Sequence, residues 1–440
     1  MKHFVEARTS AIKAIGHKDI VSRTEKVCLI IDLQGKCRVL AKASHGIKAD
    51  IIRKKVTDIV KPAADAFWED EIWVEESDPT PANRVLFETV WKQAKPEPIG
   101  QDRIFVLDRR LSKDAWFGIS INPPWPLGVR TSPIVSFYSF KGGVGRTTAL
   151  AALAINLARA GKKVVVIDFD LEAPGAGSIL TPSAGVPAGL GVLDYLLEYP
   201  VASEGSLDIA DFYHLCDNRA IIKDGEPIYV VPSGLLDNWY LEKLARVNYE
   251  YLYRTASENK APHSPLHSLL KSLRAKLKPY IFLVDSRAGL HDLGGLSLSG
   301  IAHLQVLFGL RSQQSWDGLS LAISHLGKEM LLARQPQRTC AIVHAMASPQ
   351  GSTREEEIRA FKEHSFGVFS ENYYDASDAP NAEWPVPDPE SKESPHFPTV
   401  ITWDVRVAGY SSLADVAEFL CEGEHRTLSS FILEKLGKKL

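Results

Sequence analysis

Residues 136–175 have the sequence SFYSFKGGVGRTTALAALAINLARAGKKVVVIDFDLEAPG. Its pattern predicts a buried strand, a glycine-rich loop, a long helix and a second strand that is almost entirely apolar. The glycines of KGGVGRTT, residues 141–148, let the backbone turn so that its N–H groups point inward at the amino end of the helix. Such a loop predicts a binding site for phosphate.

Two cations and a hydroxyl stand in this loop. Lys141 and Arg146 can neutralise phosphate oxygens, and Thr147 places a hydroxyl where it can bind magnesium. The alternative is an ordinary glycine-rich turn. The strand before the loop, the long helix after it and the acids that end the second strand, Asp168 and Asp170, favour a nucleotide site.

The chain beyond this stretch continues to alternate apolar strands with helical patterns. Further strand candidates lie at residues 227–234, 280–289, 304–310, 339–347 and 398–405. Helices between such strands imply right-handed crossovers and a parallel sheet. The predicted fold class is α/β, a doubly wound and mostly parallel sheet of the P-loop NTPase type, over residues 131–440.

A small α+β domain is predicted in residues 1–130. Its predicted elements are a hairpin of strands 26–33 and 36–43, an amphipathic helix at 49–67 and a further strand at 103–110. The proline-rich connector INPPWPLGVRTSP marks the boundary near residue 130. Because the domain has scattered tryptophans, an acidic segment and no DNA-reading motif, we interpret it as an adaptor that binds a partner protein.

The loop KGGVGRTT resembles the deviant Walker A loop, KGGxGK[ST], of the ParA/MinD class of P-loop ATPases. VVVIDFDLEAPG is similar to that class's following strand and switch I, and YIFLVDSRAG to its Walker B strand and switch II. The resemblance follows the element order over residues 134–420 and does not cover the first 130 residues. It implies ATP and Mg²⁺ as cofactors and a homodimer that encloses the nucleotides.

The resemblance also implies roles for individual residues. Lys141 matches the signature lysine that reaches the partner's phosphates across the dimer, and Asp170 matches the acid that positions attacking water. The implied catalytic residues are Lys141, Arg146 and Asp170, and the implied magnesium set is Thr147, Asp168 and Asp285. The implied nucleotide contacts are Lys141, Gly142, Gly143, Val144, Gly145, Arg146, Thr147, Thr148 and Gly289. For the aspartates, the alternative is that they cap loops at strand ends.

Two arginines depart from the family pattern. Arg146 stands where the family has lysine, and it keeps the charge but replaces a compact ammonium with a wider planar fork. The change is compatible with tight ATP binding and slow hydrolysis, with ordinary hydrolysis through an adjusted loop, or with a pseudo-enzyme. Arg287 replaces a proline common in the family, and it is interpreted either as a sensor of the γ-phosphate or of a partner, or as a structural arginine.

Composition narrows the functional classes. The chain has 440 residues, of which 45% are hydrophobic and 24% charged, as in folded globular proteins. A net charge of −3 counts against binding to nucleic acid or to an anionic membrane. The five scattered cysteines form no CxxC pair, and no apolar run has the length of a signal peptide or a membrane span, so we expect a cytoplasmic protein.

The resulting hypothesis is a Mg-ATP-dependent dimerising molecular switch. It would be an ATPase with slow hydrolysis that relays its nucleotide state to a partner protein. KGGVGR also resembles a variant branch of these ATPases that is found in bacterial defence or conflict loci. The hypothesis therefore includes a role in bacterial defence or conflict. The alternatives are a nucleotide-binding scaffold or sensor without hydrolysis, and a DNA- or membrane-positioning ATPase.

Overall fold

The computed structural model describes residues 1–75, 80–97, 102–113, 116–117, 123–128, 131–182, 189–203, 206–249, 252, 264–333, 339–374 and 386–440. Contacts divide the chain into two compact units, Met1–Leu111 and Ser112–Leu440. The proline-rich connector used to predict a boundary near residue 130 falls in the second unit, and the division into residues 1–130 and 131–440 stays a prediction.

The first unit is a sheet with helices. Its helices and strands are α1 (Phe4–Ile15), α2 (Lys18–Val21), β1 (Thr24–Ile31), β2 (Cys37–Ala43), α3 (Ala49–Ala64), β3 (Trp68–Glu75), α4 (Pro81–Gln93), β4 (Lys95–Pro96) and β5 (Ile104–Asp108). The described strands lie in the order β3-β2-β1-β5-β4, with β1 and β2 antiparallel as a hairpin. The apolar stripe of α3, which includes Val56 and Val60, is fully buried with residues of α1 and the sheet. These contacts form the core of a separate α+β unit.

The second unit is built around a larger sheet. Its strands are β6 (Ile134–Ser139), β7 (Val164–Asp168), β8 (His214–Cys216), β9 (Ile228–Val231), β10 (Ile281–Asp285), β11 (Leu304–Gly309), β12 (Thr339–Ala347) and β13 (Thr399–Thr402). The order among the described residues is β13-β12-β11-β6-β10-β7-β9-β8. All neighbours are parallel except β8, which pairs antiparallel with β9 at one edge. The predicted doubly wound, mostly parallel α/β sheet is confirmed.

Helices cover the sheet of the second unit. They are α5 (Arg146–Arg159), α6 (Ala176–Ile179), α7 (Val192–Glu198), α8 (Arg219–Ile222), α9 (Tyr240–Leu244), α10 (Pro265–Leu277), α11 (Asp292–Leu296), α12 (Gln313–Ala333), α13 (Ser352–Asn372), α14 (Val405–Ala408), α15 (Leu413–Leu420) and α16 (Gly423–Lys435). Alternate residues of β7 are buried in different hydrophobic cores. Val164 and Val166 pack with α5, whereas Val165 and Ile167 pack with α10. Burial on both faces explains why these strands are continuous apolar runs.

Strand register brings the acids of the second unit together. Asp285, the last residue of β10, is the direct partner of Asp168, the last residue of β7. On its other side β10 pairs with β6, which leads into the glycine-rich loop. Since parallel strands end at the same edge of a sheet, the loop and both acids face one crevice.

The C-terminal helix packs within the second unit. In α16 the side chains of Leu428, Ile432 and Leu433 are buried in the same core as α5 and α15. The apolar stripe therefore packs against the protein itself. Among the described residues, no helix combines the length and apolar character needed to cross a bilayer.

Shortening a buried side chain of α16 tests how much this packing stabilises the protein. Ile432 is fully buried, so we expect Ile432→Ala to lower the free energy of unfolding by about 2–5 kcal/mol. Ser430→Ala, at an exposed position of the same helix, should change it by less than about 0.5 kcal/mol. Urea unfolding followed by circular dichroism measures both values. Equal effects of the two substitutions would contradict the packing described for α16.

Candidate functional site

The loop between β6 and α5 forms an open cradle. Gly143 and Gly145 have φ angles of +71° and +79°, a backbone region that favours glycine. A Cβ atom built at either position would meet no heavy atom within 4 Å. These glycines are therefore required by the turn, and the space over the loop is free for a ligand at the amino end of α5.

Arg146, the first residue of α5, is buried under the loop with only 8% of its surface exposed. Its Nε donates to Asp285 Oδ1 at 2.7 Å, and its Nη1 donates to Ser139 Oγ at 3.2 Å. Its Nη2 lies 3.4 Å from Asp170 Oδ2. Burial alone would lower the pKa of Arg146, but the carboxylates of Asp285, Asp170 and Asp168 together outweigh it, and the pKa is raised. One guanidinium thus links the loop to the ends of β7 and β10.

Thr147 and Asp285 form the pair that best fits a hydrated magnesium ion. Thr147 Oγ1 donates to Asp285 Oδ2 at 2.7 Å, and Asp285 is fully buried. Among the described residues, no group of three or more His, Cys, Asp or Glu side chains is arranged to hold a metal. A hydroxyl and one carboxylate nevertheless fit Mg²⁺ because this ion keeps several waters and takes phosphate oxygens as ligands.

Asp168 is engaged with the backbone of the following loop. Its Oδ1 accepts the N–H of Asp170 at 3.1 Å, and its Oδ2 accepts the N–H groups of Gly175 and Gly177 at 3.0 and 2.9 Å. Its carboxyl is fully buried, and that burial, together with the nearby Asp285 carboxylate, raises its pKa. Both oxygens are thus used in shaping residues 168–177.

Asp170 lies between two arginines. Its Oδ2 faces Arg146, whereas its Oδ1 accepts from Arg287 Nη1 at 3.0 Å and from the N–H of Ala173 at 3.1 Å. Arg287 also lies 3.4 Å from Glu172. The sequence pattern did not reveal this ion-pair cluster, because its members come from two loops that are far apart along the chain.

Glu172 and His291 also join these two loops, and sequence reasoning did not select either residue. His291 Nε2 lies 2.5 Å from Glu172 Oε1, and the Tyr249 hydroxyl donates to the same oxygen at 3.3 Å. Burial would raise the pKa of Glu172, but the bond to His291 and other nearby positive charge lower it. The only sequence signal is position: Glu172 follows Asp170 by two residues, and His291 follows the acid-ending strand β10.

Two predicted site residues stand apart from this cluster. The Lys141 ammonium donates to Gln314 Oε1 at 2.7 Å, near the start of α12 and at the surface of the unit. Gly289 has a φ of +80° and donates its N–H to Ser139 O at 3.0 Å. The structure therefore brings together Arg146, Thr147, Asp170 and Asp285, places Asp168 beside them, and directs the Lys141 side chain outward.

A cleft of about 390 Å³ opens beside the loop. The loop residues from Gly143 to Thr148 line one side, and residues from the end of β12 and from β13 to α14 line the other, including Met346, Trp403 and Val407. Met346 and Trp403 are 38% and 45% exposed. An apolar wall next to a phosphate cradle has the form expected for the base and sugar of a nucleotide.

Several known proteins are similar to parts of this chain. Residues 132–179 match a family model described as an AAA domain. The septum site-determining protein MinD of Escherichia coli is 60% identical over 103 residues, which are 23% of this chain and 32% of MinD. An uncharacterized ATP-binding protein of Methanocaldococcus jannaschii is 27% identical over 196 residues, 44% of this chain and 65% of that protein.

A solved structure of a putative plasmid partition protein of Borrelia burgdorferi bound to AMPPNP superposes with a TM-score of 0.43. Its sequence identity is 16%, over 69% of this chain and 99% of that one. The chain spans about a third of the length of the MinD protein that it matches.

The glycine cradle, the acid-ending strands beside it and the parallel sheet define the class as a P-loop NTPase fold. Within that class the chain is ParA/MinD-like, which confirms the resemblance predicted from the loop KGGVGRTT.

Removal of the Arg146 side chain tests the buried ion pairs in the nucleotide-free protein. We expect Arg146→Ala to lower the free energy of unfolding by about 3–5 kcal/mol, since it leaves the buried Asp285 without its cation. Arg219→Ala, at an arginine whose side chain is 86% exposed, should change it by less than about 1 kcal/mol.

The double variant Arg146→Ala/Asp285→Asn should lose less stability than the sum of the two single variants, because the second change removes the unpaired charge. Urea unfolding without nucleotide gives the free energy of unfolding of the wild type, of Arg146→Ala, of Asp285→Asn and of the double variant. Additive losses would contradict the pairing of Arg146 with Asp285.

Proposed function

We propose that this protein is a Mg-ATP-dependent molecular switch that dimerises when ATP is bound and resets by slow ATP hydrolysis. The observation that carries this proposal is the position of Asp170, whose carboxylate lies 3.4 Å from the guanidinium of Arg146 at the base of the phosphate cradle. A protein that only held a nucleotide would not need an acid beside the cradle.

The cradle suits the triphosphate of ATP. Backbone N–H groups at the amino end of α5 meet anions favourably, and the glycines leave the loop open. Arg146 supplies positive charge from below, and its planar fork can bind two phosphate oxygens at once. To do so, it must release at least part of its contact with Asp285 or Asp170.

Magnesium has its best donors in Thr147 and Asp285. The hydroxyl and the carboxylate lie 2.7 Å apart at the mouth of the loop. When bound there, Mg²⁺ would neutralise charge on the phosphate oxygens. Asp168, the third residue of the implied set, would act by holding the shape of residues 168–177, since three backbone N–H groups already occupy its oxygens.

Asp170 would orient the attacking water. When Arg146 turns to the phosphates, Asp170 Oδ2 loses its only side-chain donor among the described contacts and is left to accept a hydrogen bond from water. The buried position of Asp170 keeps bulk water away from this point. Slow hydrolysis follows from the competition for Arg146, because each turnover must separate buried ion pairs.

Dimerisation would use Lys141. Its ammonium donates to Gln314 at an exposed position, so it is accessible to the phosphates of a second copy. The first unit would relay the nucleotide state to a partner protein, a proposal supported by its separate core. A role in bacterial defence or conflict is proposed from the resemblance of KGGVGR alone.

The contacts of Arg146 favour one alternative, a nucleotide-binding scaffold or sensor without hydrolysis. Arg146 already binds both Asp285 and Asp170, and an arginine that stayed there would keep both acids from taking part in hydrolysis. The protein would then be a nucleotide-held scaffold or sensor. The DNA- or membrane-positioning alternative has less support, since the net charge is −3 and the apolar stripe of α16 is packed inside its own unit.

The role of Asp170 is tested by Asp170→Ala. We expect single-turnover phosphate release from Mg-ATP to fall by at least about 100-fold, the usual contribution of a residue that handles the attacking nucleophile. ATP-dependent dimerisation, followed by light scattering, should persist. Asp224→Ala, at a side chain that is 95% exposed, is the matched control. ATP binding without phosphate release in the wild type would favour the scaffold instead.

The role of Lys141 is tested by Lys141→Ala. Because this lysine is expected to contact the nucleotide of the second copy, the variant should bind a fluorescent ATP analogue as wild type does but remain monomeric with ATP. Lys271→Ala, at an exposed position of α10, is the matched control and should dimerise. Sedimentation velocity gives the result. A Lys141→Ala protein that dimerises with ATP would refute the shared-nucleotide arrangement.

A further inference from the structure

The two carboxylate oxygens of Asp170 have unlike partners. Oδ1 is held by two donors, Arg287 Nη1 at 3.0 Å and the N–H of Ala173 at 3.1 Å. Oδ2 has the longer contact of 3.4 Å with Arg146 Nη2. The carboxylate is therefore anchored on one side and weakly held on the side that faces the phosphate cradle.

Arg287 is itself fixed by residues outside the cradle. Its Nη1 lies 3.4 Å from Glu172 Oε2, and Glu172 Oε1 is bonded to His291 at 2.5 Å. Tyr249 donates to the same Oε1 and packs edge-on against His291, with ring centroids 5.4 Å apart. None of these contacts involves Arg146.

Burial separates this cluster from ordinary surface ion pairs. The side chains of Asp170, Glu172 and His291 are 9%, 24% and 18% exposed, and that of Arg287 is 30% exposed. Charged groups removed this far from water keep a defined geometry better than exposed pairs, which are screened and mobile.

We propose that Arg287 is a positioning residue that acts through Asp170. It fixes Oδ1 so that Oδ2 is the oxygen presented to the attacking water when Arg146 moves to the phosphates. It also ties residues 168–177 to the loop after β10, so that both loops share one anchor. This inference rests on the proposed function, in which Asp170 orients water.

The first test is a comparison of hydrolysis with binding. Arg287→Ala should slow single-turnover phosphate release from Mg-ATP by about 10- to 100-fold, as expected when a reacting group is misplaced by a fraction of an ångström to an ångström. Its affinity for a fluorescent AMPPNP should stay that of wild type. Arg287→Lys should recover part of the rate because it keeps the charge but not the fork. Arg219→Ala is the matched control.

The second test asks whether Arg287 acts through Asp170. In an Asp170→Ala background, Arg287→Ala should cause no further loss of rate, since the residue that it positions is gone. A further loss of the same size would show that Arg287 acts on the phosphates directly, and would overturn the proposal. So would an unchanged rate in Arg287→Ala, or a loss explained entirely by weaker nucleotide binding.

Hydrogen–deuterium exchange of the nucleotide-free protein separates this proposal from the proposed function. Arg287→Ala should raise exchange in residues 171–177 as much as Asp170→Asn does, and the double variant should show no additional rise. If the wild type releases no phosphate, the proposed hydrolysis is wrong. The exchange in residues 171–177 then tests by itself whether Arg287 anchors Asp170. Unchanged exchange in Arg287→Ala would refute that contact.

Discussion

The buried guanidinium of Arg146 is the interaction on which the site depends. It neutralises Asp285, which is fully buried, and it approaches Asp170, which is nearly so. An isolated charge in such a place would be strongly unfavourable, whereas paired charges that are also hydrogen-bonded are tolerated. The ends of β6, β7 and β10 are thereby held around one cation, and the acids keep the positions that the proposed hydrolysis would use.

A triphosphate would compete with Asp285 and Asp170 for the guanidinium of Arg146. Arg146 is shared by Ser139, Asp285 and Asp170, and each of these contacts would oppose its movement toward phosphate. Lysine has a single compact ammonium and could not hold all three groups in this planar arrangement. Arginine at this position therefore links the state of the cradle to that of both acids. In the proposed switch, the second arginine, Arg287, would keep Asp170 in place while Arg146 moves.

The fold and the loop could be predicted from sequence because their signals are local. Apolar runs such as β7 and the contiguous motif KGGVGRTT need no knowledge of tertiary contacts. The ion-pair cluster could not be predicted in this way, since Arg146 and Asp285 are separated by 139 residues and meet only through strand register. Strand β3 was not predicted, because three consecutive acids, Glu69 to Glu71, lie between its buried positions, Trp68 and Val74.

We expect Arg146 to leave Asp285 and Asp170 for the phosphates when Mg-ATP binds. A crystal structure with magnesium and AMPPNP tests it most directly. In this complex the Arg146 guanidinium should contact phosphate oxygens, Asp285 should lie beside the metal with a water between them, and Asp170 should still be bonded to Arg287. A complex in which Arg146 remains on Asp285 and Asp170, with the nucleotide held by the backbone alone, would contradict it.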